Sequence, residues 1–319
     1  MPTTPTSIRA ATLAVVLPLS AILHQPAPTA LVYKHSAGGD LKLYRFAADQ
    51  SASSVPHPAA LWIHGGGWTG GTCDAFFPMA RYTATRGAES FVVNYRLLRP
   101  GGPTMTDAIA DCKSAVRYLR AHHAELNVDP QRIAVLGESA GGHLAAAVAL
   151  LDDINDGTDD LTVSARPDAV VLFNPLTDFT ASNFRKLLPQ GADPESADAF
   201  VRDYSPLFHV RSGLPPTLCV HGLGDTVIPP EQTRRFAAAL QQAGNRCDLE
   251  LLPGLPHAFL IPEYKCSETV VVNAFRRADV FLNSLGWFSG APTLTVSAVP
   301  AWTAKWPPSP IPAATHSHP

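Results

Sequence analysis

Charge is scarce in this sequence. Only 16% of its 319 residues are Asp, Glu, Lys or Arg, against about 25% in ordinary globular chains. Lys+Arg 24 against Asp+Glu 27 leaves a net charge of −3. No cationic excess is available to neutralise a phosphate backbone, so a nucleic-acid partner is not expected. Long apolar runs are also missing. Residues 10–23 form the strongest candidate, but Pro18 interrupts them and they fall short of the roughly 20 residues that cross a bilayer. Stable membrane insertion is therefore not expected. Cysteine supplies only Cys73, Cys112, Cys219, Cys247 and Cys266, with no C-x-x-C pair, so zinc and thioredoxin-type sites lack their ligands and no metal is expected. Cys112 and Cys219 read as small buried hydrophobes. One disulfide among Cys73, Cys247 and Cys266 stays open for an exported chain. With hydrophobic residues at 46%, the sequence has the material for a large core and cannot be wholly disordered.

Proline, by contrast, is plentiful at 30 residues and crowds both ends. Arg9 is the one charged residue before the apolar run at 10–23, and a small, Pro-rich stretch follows at 25–30. A basic start, a short apolar run and small residues make an export-signal pattern, which predicts a secreted or periplasmic protein. Ala30 suits the last position before a cut and Pro28 does not, so a plain disordered extension is the alternative. Residues 289–319 hold seven prolines and two large aromatics, Trp302 and Trp306. They read as a tail, disordered or laid over the surface. The expected division is thus 1–30 signal or extension, 31–288 folded domain and 289–319 tail.

Between the ends, apolar runs alternate with helical stripes. Strands are expected at 41–46, 59–64, 90–95, 132–136, 168–173, 217–220 and 248–252. Helices are expected at 76–86, 107–123, 140–151, 231–243 and 267–285. This alternation predicts an α/β fold, a mostly parallel sheet with helices on both faces. Ligands of such sheets bind beyond the carboxyl ends of the strands.

The motifs stand at those ends. Gly137-Glu138-Ser139-Ala140-Gly141-Gly142 follows a strand and opens a helix, the context of a nucleophile elbow. No Lys follows the glycines, which excludes a P-loop. His64-Gly65-Gly66-Gly67-Trp68 ends another strand, and the backbone N–H groups of Gly66 and Gly67, with that of Ala140, are candidates to hold an oxyanion. His64 comes too early in the chain for the base and reads as a brace for the loop. A serine nucleophile needs a base and an orienting acid, in the chain order Ser, acid, His. Asp225, after His221-Gly222-Leu223-Gly224, and His257, in Leu255-Pro256-His257-Ala258-Phe259, fit that order. Asp178 is the runner-up acid, and His143 and His221 are competing histidines. Trp62, Trp68, Phe76 and Phe77 are candidates to line an acyl pocket, with core packing the alternative for Trp62 and the two phenylalanines.

Taken in order, HGGGW, GESAGG, HGLGDTVIPP and LPHAF resemble the α/β-hydrolase superfamily, most of all its hormone-sensitive-lipase-like and carbohydrate-esterase-like serine esterases. The resemblance spans about residues 31–288. It implies a nucleophile at Ser139, an acid at Asp225, a base at His257, an oxyanion hole from Gly66, Gly67 and Ala140, and ester hydrolysis without a cofactor. Glu138 departs from the Asp usual in hormone-sensitive-lipase relatives. Too few residues precede the Gly loop for an N-terminal cap, which leaves a small cap at 177–216, between the strands at 168–173 and 217–220, the sixth and seventh strands of the resembled fold. An open site of this kind suits an ester on a bulky alcohol, and the chain reads as a serine esterase acting on acetylated or feruloylated carbohydrate, or on other short acyl esters. An amidase or peptidase of the same fold, kynurenine-formamidase-like, is the alternative enzyme reading. A non-catalytic ligand-binding relative is the alternative outside enzymes.

Overall fold

The computed structural model describes residues 17–18, 27–49, 55–180, 194–261 and 266–296. Its strands are β1 (Thr29–Ser36), β2 (Gly39–Phe46), β3 (His57–Ile63), β4 (Glu89–Val93), β5 (Val128–Glu138), β6 (Ala169–Phe173), β7 (Thr217–Gly222) and β8 (Cys247–Leu252). They form one eight-stranded sheet in the order β1-β2-β4-β3-β5-β6-β7-β8. Strand β2 runs antiparallel to both β1 and β4, and every later pairing is parallel. The longer helices are α1 (Phe77–Thr85), α2 (Met105–Ala121), α3 (Ala140–Leu150), α4 (Pro194–Tyr204), α5 (Pro230–Gln242) and α6 (Glu268–Ser284).

Every residue of β3, β4 and β6 is buried, as strands covered on both faces require. Alternate side chains feed two cores. Leu61, Ile63, Phe91, Val93 and Val135 join α2 and α3 on one face, while Ala60, Trp62, Val92, Leu136 and Val171 join α1 and α6 on the other. All of α3 is buried, which its small apolar residues allow. Helix α2 opens with a capping box between Thr104 and Asp107, worth about 0.5–2 kcal/mol. The parallel registers Ile63↔Gly137, Glu138↔Phe173, Phe173↔Val220 and Gly222↔Leu252 align the carboxyl ends of five strands on one edge. The loops that follow those strands therefore meet there.

The fold class stands as read: an α/β-hydrolase sheet with an insertion between its sixth and seventh strands. Several boundaries shift. Strand β1 was not foreseen, and Thr29 and Ala30, assigned to the leading segment, pair with Arg45 and Tyr44. The rest of that segment, residues 1–16 and 19–26, lies outside the described residues. At the other end, Phe288 and Leu294 are buried, Arg276 Nε donates to Leu294 O at 2.9 Å, and Leu17–Pro18 pairs with Leu294–Thr295. The first residues of the expected tail thus pack against the body; residues 297–319 lie outside the described residues. Within the insertion, α4 was not foreseen either. None of the five cysteines stands in a disulfide, so the one left open is not formed. Among the described residues, no helix is long and apolar enough to cross a membrane.

Candidate active site

Between β5 and α3 the chain reverses at a single residue. Ser139 sits at φ 56°, ψ −120°, a left-handed backbone that costs a non-glycine residue about 1–3 kcal/mol. The neighbouring glycines make the turn possible. A Cβ on Gly137 would lie 2.2 Å from Gly141 O, and one on Gly141 would lie 2.1 Å from Ile63 O. The elbow is pinned to β6 by Ser139 N–H donating to Phe173 O at 3.0 Å.

Two further loops reach the Ser139 hydroxyl in series. His257 Nε2 lies 2.8 Å from Ser139 Oγ, and His257 Nδ1 lies 2.7 Å from Asp225 Oδ2. A carboxylate only accepts, so Nδ1 carries the proton and the Nε2 lone pair faces the serine. Asp225 Oδ1 accepts the N–H groups of Val227 and Ile228 at 2.8 and 2.9 Å. Burial raises the Asp225 carboxyl, but hydrogen bonds from His221, His257 and the Ile228 N–H outweigh it and hold the group below the usual carboxylate range. The two loops are stitched together by Leu223 N–H to Leu252 O at 2.8 Å and Gly224 N–H to Leu255 O at 3.0 Å. Asp178, the runner-up acid, is engaged by Arg235 at 2.9 Å.

His221 has a larger part than the sequence suggested. Its Nε2 lies 3.1 Å from Asp225 Oδ2 and 3.0 Å from Ile228 O, and its Nδ1 lies 2.7 Å from Thr233 Oγ1. It is a second donor to the acid and ties it to α5. A histidine closing a strand four residues before the acid was the available signal.

The glycine loop lies against the elbow, where a Cβ on Gly65 would come within 3.3 Å of Ser139 Cβ. Gly66, Gly67 and Trp68 take φ of 118°, 62° and 63° in succession, and Gly70 N–H closes the turn on Gly66 O at 3.0 Å. His64 braces the loop as expected. Its ring stacks on Tyr95 at 4.4 Å, Tyr95 OH donates to His64 O at 2.9 Å, and Nδ1 is 2.8 Å from Gly65 O. Burial lowers the His64 imidazole to about 4, so it is neutral at pH 7. Of the hydrogen bonds outside helices and strands among the described residues, none uses the N–H of Gly66, Gly67 or Ala140.

The expected acyl-pocket aromatics are placed differently. Phe76 and Phe77 are 1% and 4% exposed. Phe76 packs beside Trp62 and Phe77 against Tyr44 and Phe46, because the 3₁₀ turn Cys73–Phe76 and the α1 that follows it turn the two rings into the core. Trp68 is 3% exposed and packs on His143 and Phe179. All three rings are held in packing contacts and leave little surface to face a bound acyl group.

Glu138 lies directly beneath the elbow. Its Oε1 accepts Leu260 N–H at 3.1 Å, which links β5 to the loop carrying His257. Its Oε2 is buried beside the side-chain amide of Asn174, which partly offsets the burial of the carboxyl. Burial, assisted by the charge of Asp225, pushes the Glu138 carboxyl up to about 8. The group is mainly neutral at pH 7, so Glu138→Gln should keep activity there within about 10-fold. The ordinary value is 4.5, and a raised folded value means a stability contribution present below that pH and lost as pH rises through about 8. Gln does not titrate. The Tm of Glu138→Gln relative to the parent should therefore climb between about pH 5 and pH 9, by about 2–4 °C per kcal/mol of relieved charge. A pH-independent difference in paired melting curves would show that Glu138 does not carry this linkage.

Comparison with known proteins gives a consistent picture. The BD-FAE family model matches residues 47–240. A probable carboxylic ester hydrolase of Mycobacterium tuberculosis, LipM, is 29% identical over 239 residues, covering 70% of this chain and 54% of that protein. An acetylxylan esterase of Xylanibacter ruminicola is 26% identical over 220 residues, covering 67% of this chain and 41% of that protein. The chain spans about half the length, or less, of these curated relatives. Among solved structures, the propionate-bound esterase 2 of Thermogutta terrifontis superimposes with a TM-score of 0.75 at 34% identity, covering 83% of this chain and 97% of that one. The same esterase has also been solved with butyrate bound.

Proposed function

This chain belongs to the BD-FAE family of α/β-hydrolase serine esterases, and from that membership we propose that it hydrolyses carboxylic esters of short acyl chains through a covalent acyl-enzyme. The observation that carries the reading is the unbroken series Ser139 Oγ, His257 Nε2, His257 Nδ1, Asp225 Oδ2, with contacts of 2.8 and 2.7 Å.

In this reading Ser139 Oγ attacks the ester carbonyl carbon while His257 Nε2 takes its proton. Asp225 keeps the imidazole in the productive tautomer and stabilises the imidazolium. The carbonyl oxygen becomes an oxyanion, received by the N–H groups of Gly66, Gly67 and Ala140. The N-terminus of α3 adds a favourable dipole there. Collapse of the intermediate breaks the C–O bond, and His257 gives its proton to the departing alcohol. Water then attacks the acyl-serine by the same route in reverse and releases the acid. These steps need no cofactor.

For the substrate we favour acyl groups of about two to four carbons on a bulky alcohol such as an acylated carbohydrate. Support comes from the acetylxylan esterase among the relatives, from a structural neighbour that binds propionate, and from an insertion confined to one segment. An extra methylene is worth at most about 0.8 kcal/mol when it fits and costs more when it overfills a rigid site. Values of kcat/KM on p-nitrophenyl esters should peak at about two to four carbons and fall beyond about eight. A maximum at ten or more carbons would overturn the short-acyl reading. Acetyl-xylan, feruloyl esters and N-formyl amides tested in parallel separate carbohydrate esterase from amidase. Export follows from the reading of residues 1–30, so the ester would be met outside the cytoplasm.

A further inference from the structure

One buried imidazole is left unused by the chemistry above. His143 lies one turn into α3, with its N–H donating to Ser139 O at 2.9 Å and its side chain fully enclosed. Trp68 Nε1–H donates to His143 Nδ1 at 3.1 Å, and His143 Nε2 lies 2.8 Å from Tyr204 O. An indole only donates and a carbonyl only accepts. Both ring nitrogens are thus committed, Nδ1 as acceptor and Nε2–H as donor, to two segments that never touch in sequence. Burial lowers this imidazole to about 4, which keeps the one tautomer that satisfies both partners at neutral pH.

The two segments matter to the site. Trp68 directly follows Gly66 and Gly67 and holds φ 63°, a conformation a tryptophan adopts only when its surroundings enforce it. Leu98 N–H holds its carbonyl at 2.9 Å, and the indole end is held by His143. Tyr204 is the last residue of α4, in the insertion between β6 and β7. Phe179 packs on both Trp68 and His143, at 5.6 and 5.1 Å between ring centroids. Phe200 and Tyr204 continue the aromatic column into α4, at 5.4 and 4.7 Å.

We propose that His143 is a positioning residue that holds the Gly66 and Gly67 donors in register with Ser139 by anchoring Trp68, and that seats α4 on the same ring. The proposal rests on the esterase reading. The nucleophile helix carries the oxyanion loop and the insertion as one unit, so the donors are already in place before substrate arrives. Anchorage of this kind acts on the transition state, where the oxyanion exists, and not on ground-state binding. Its loss should appear in kcat and leave KM nearly unchanged.

The test is steady-state hydrolysis of p-nitrophenyl acetate by the full chain and by His143→Ala, His143→Asn, Trp68→Phe, the double variant His143→Ala/Trp68→Phe, and Ser139→Ala. His143→Ala and Trp68→Phe should each lower kcat by about 10²–10³, the loss typical of one oxyanion donor, with KM within about 3-fold. Because both break one bond, the double variant should be no more than about 3-fold worse than the poorer single variant. His143→Asn, which returns an acceptor at the Nδ1 level, should recover kcat to within about 10-fold of the parent. Single variants within about 3-fold of the parent, losses that multiply, or no recovery with Asn would each overturn the proposal. Should His143→Ala fail to fold, Trp68→Phe and His143→Asn, which remove less volume than alanine, decide alone. A parent inactive on every ester would count against the esterase reading itself. An active parent with unaffected variants counts against His143 alone.

Discussion

Ser139→Ala is expected to lower kcat by about 10⁶ while the fold stays intact. In a triad the members act as a unit, so removing the nucleophile removes nearly all the catalysis the other two can supply. What survives is the smaller effect of the oxyanion donors and binding. The fold has little reason to suffer. The hydroxyl's one described contact is the 2.8 Å bond to His257, and alanine keeps the Cβ that the φ 56° backbone already accommodates. The Tm should stay within a few degrees of the parent, and active-site titration should find no acylated protein. An alanine variant retaining more than about one-thousandth of parental activity would discard Ser139 as nucleophile.

Asp225→Asn should cost about 10⁴ in kcat, because an amide cannot accept from every donor gathered on the carboxylate. Oδ1 takes two backbone N–H groups and Oδ2 takes two histidine nitrogens. If the amide oxygen stays with Val227 and Ile228, its NH₂ meets His257 Nδ1. The ring must then move its proton to Nε2, where it can no longer receive one from serine. The amide NH₂ also faces His221, whose Nε2 already lies 3.0 Å from Ile228 O. A buried mismatch of this kind costs about 1–3 kcal/mol, so a drop of several degrees in Tm should accompany the loss of rate. Parallel measurement of kcat and melting separates the two effects. An Asn variant within about 10-fold of the parent would remove Asp225 from the acid role.

The elbow and the later strands were legible because their requirements are local. Gly137 and Gly141 are glycine for want of space, and an apolar run such as 59–63 has only one way to be satisfied in this fold. Asp225 and His257 were candidates because the elbow fold has an acid and then a histidine after its serine, and both stand at strand ends on the edge of Ser139. What escaped was of two kinds. Strand β1 buries little besides Tyr33, so an edge position left no alternation strong enough to read, and α4 hid in a polar, Pro-rich insertion. The Trp68–His143–Tyr204 anchor joins residues 75 and 61 positions apart, with nothing local to announce it. Phe76 and Phe77 misled through their nearness in sequence to the glycine loop. Proximity along the chain says nothing about which side of a helix faces the site.

The order in which the site's parts leave the ribosome follows from the sheet. A chain emerging from its amino end presents the oxyanion loop first, then the serine, then the acid. The general base arrives last, beyond β8, which forms the far edge of the sheet. The loop bearing it is pinned by contacts to the loop after β7 and by the Leu260 bond to Glu138. On the proposed mechanism, a nascent chain ending before residue 257 would hold Ser139 without the imidazole that takes its proton. Under the proposed mechanism, the order of the strands makes the site complete only once nearly the whole body has been made.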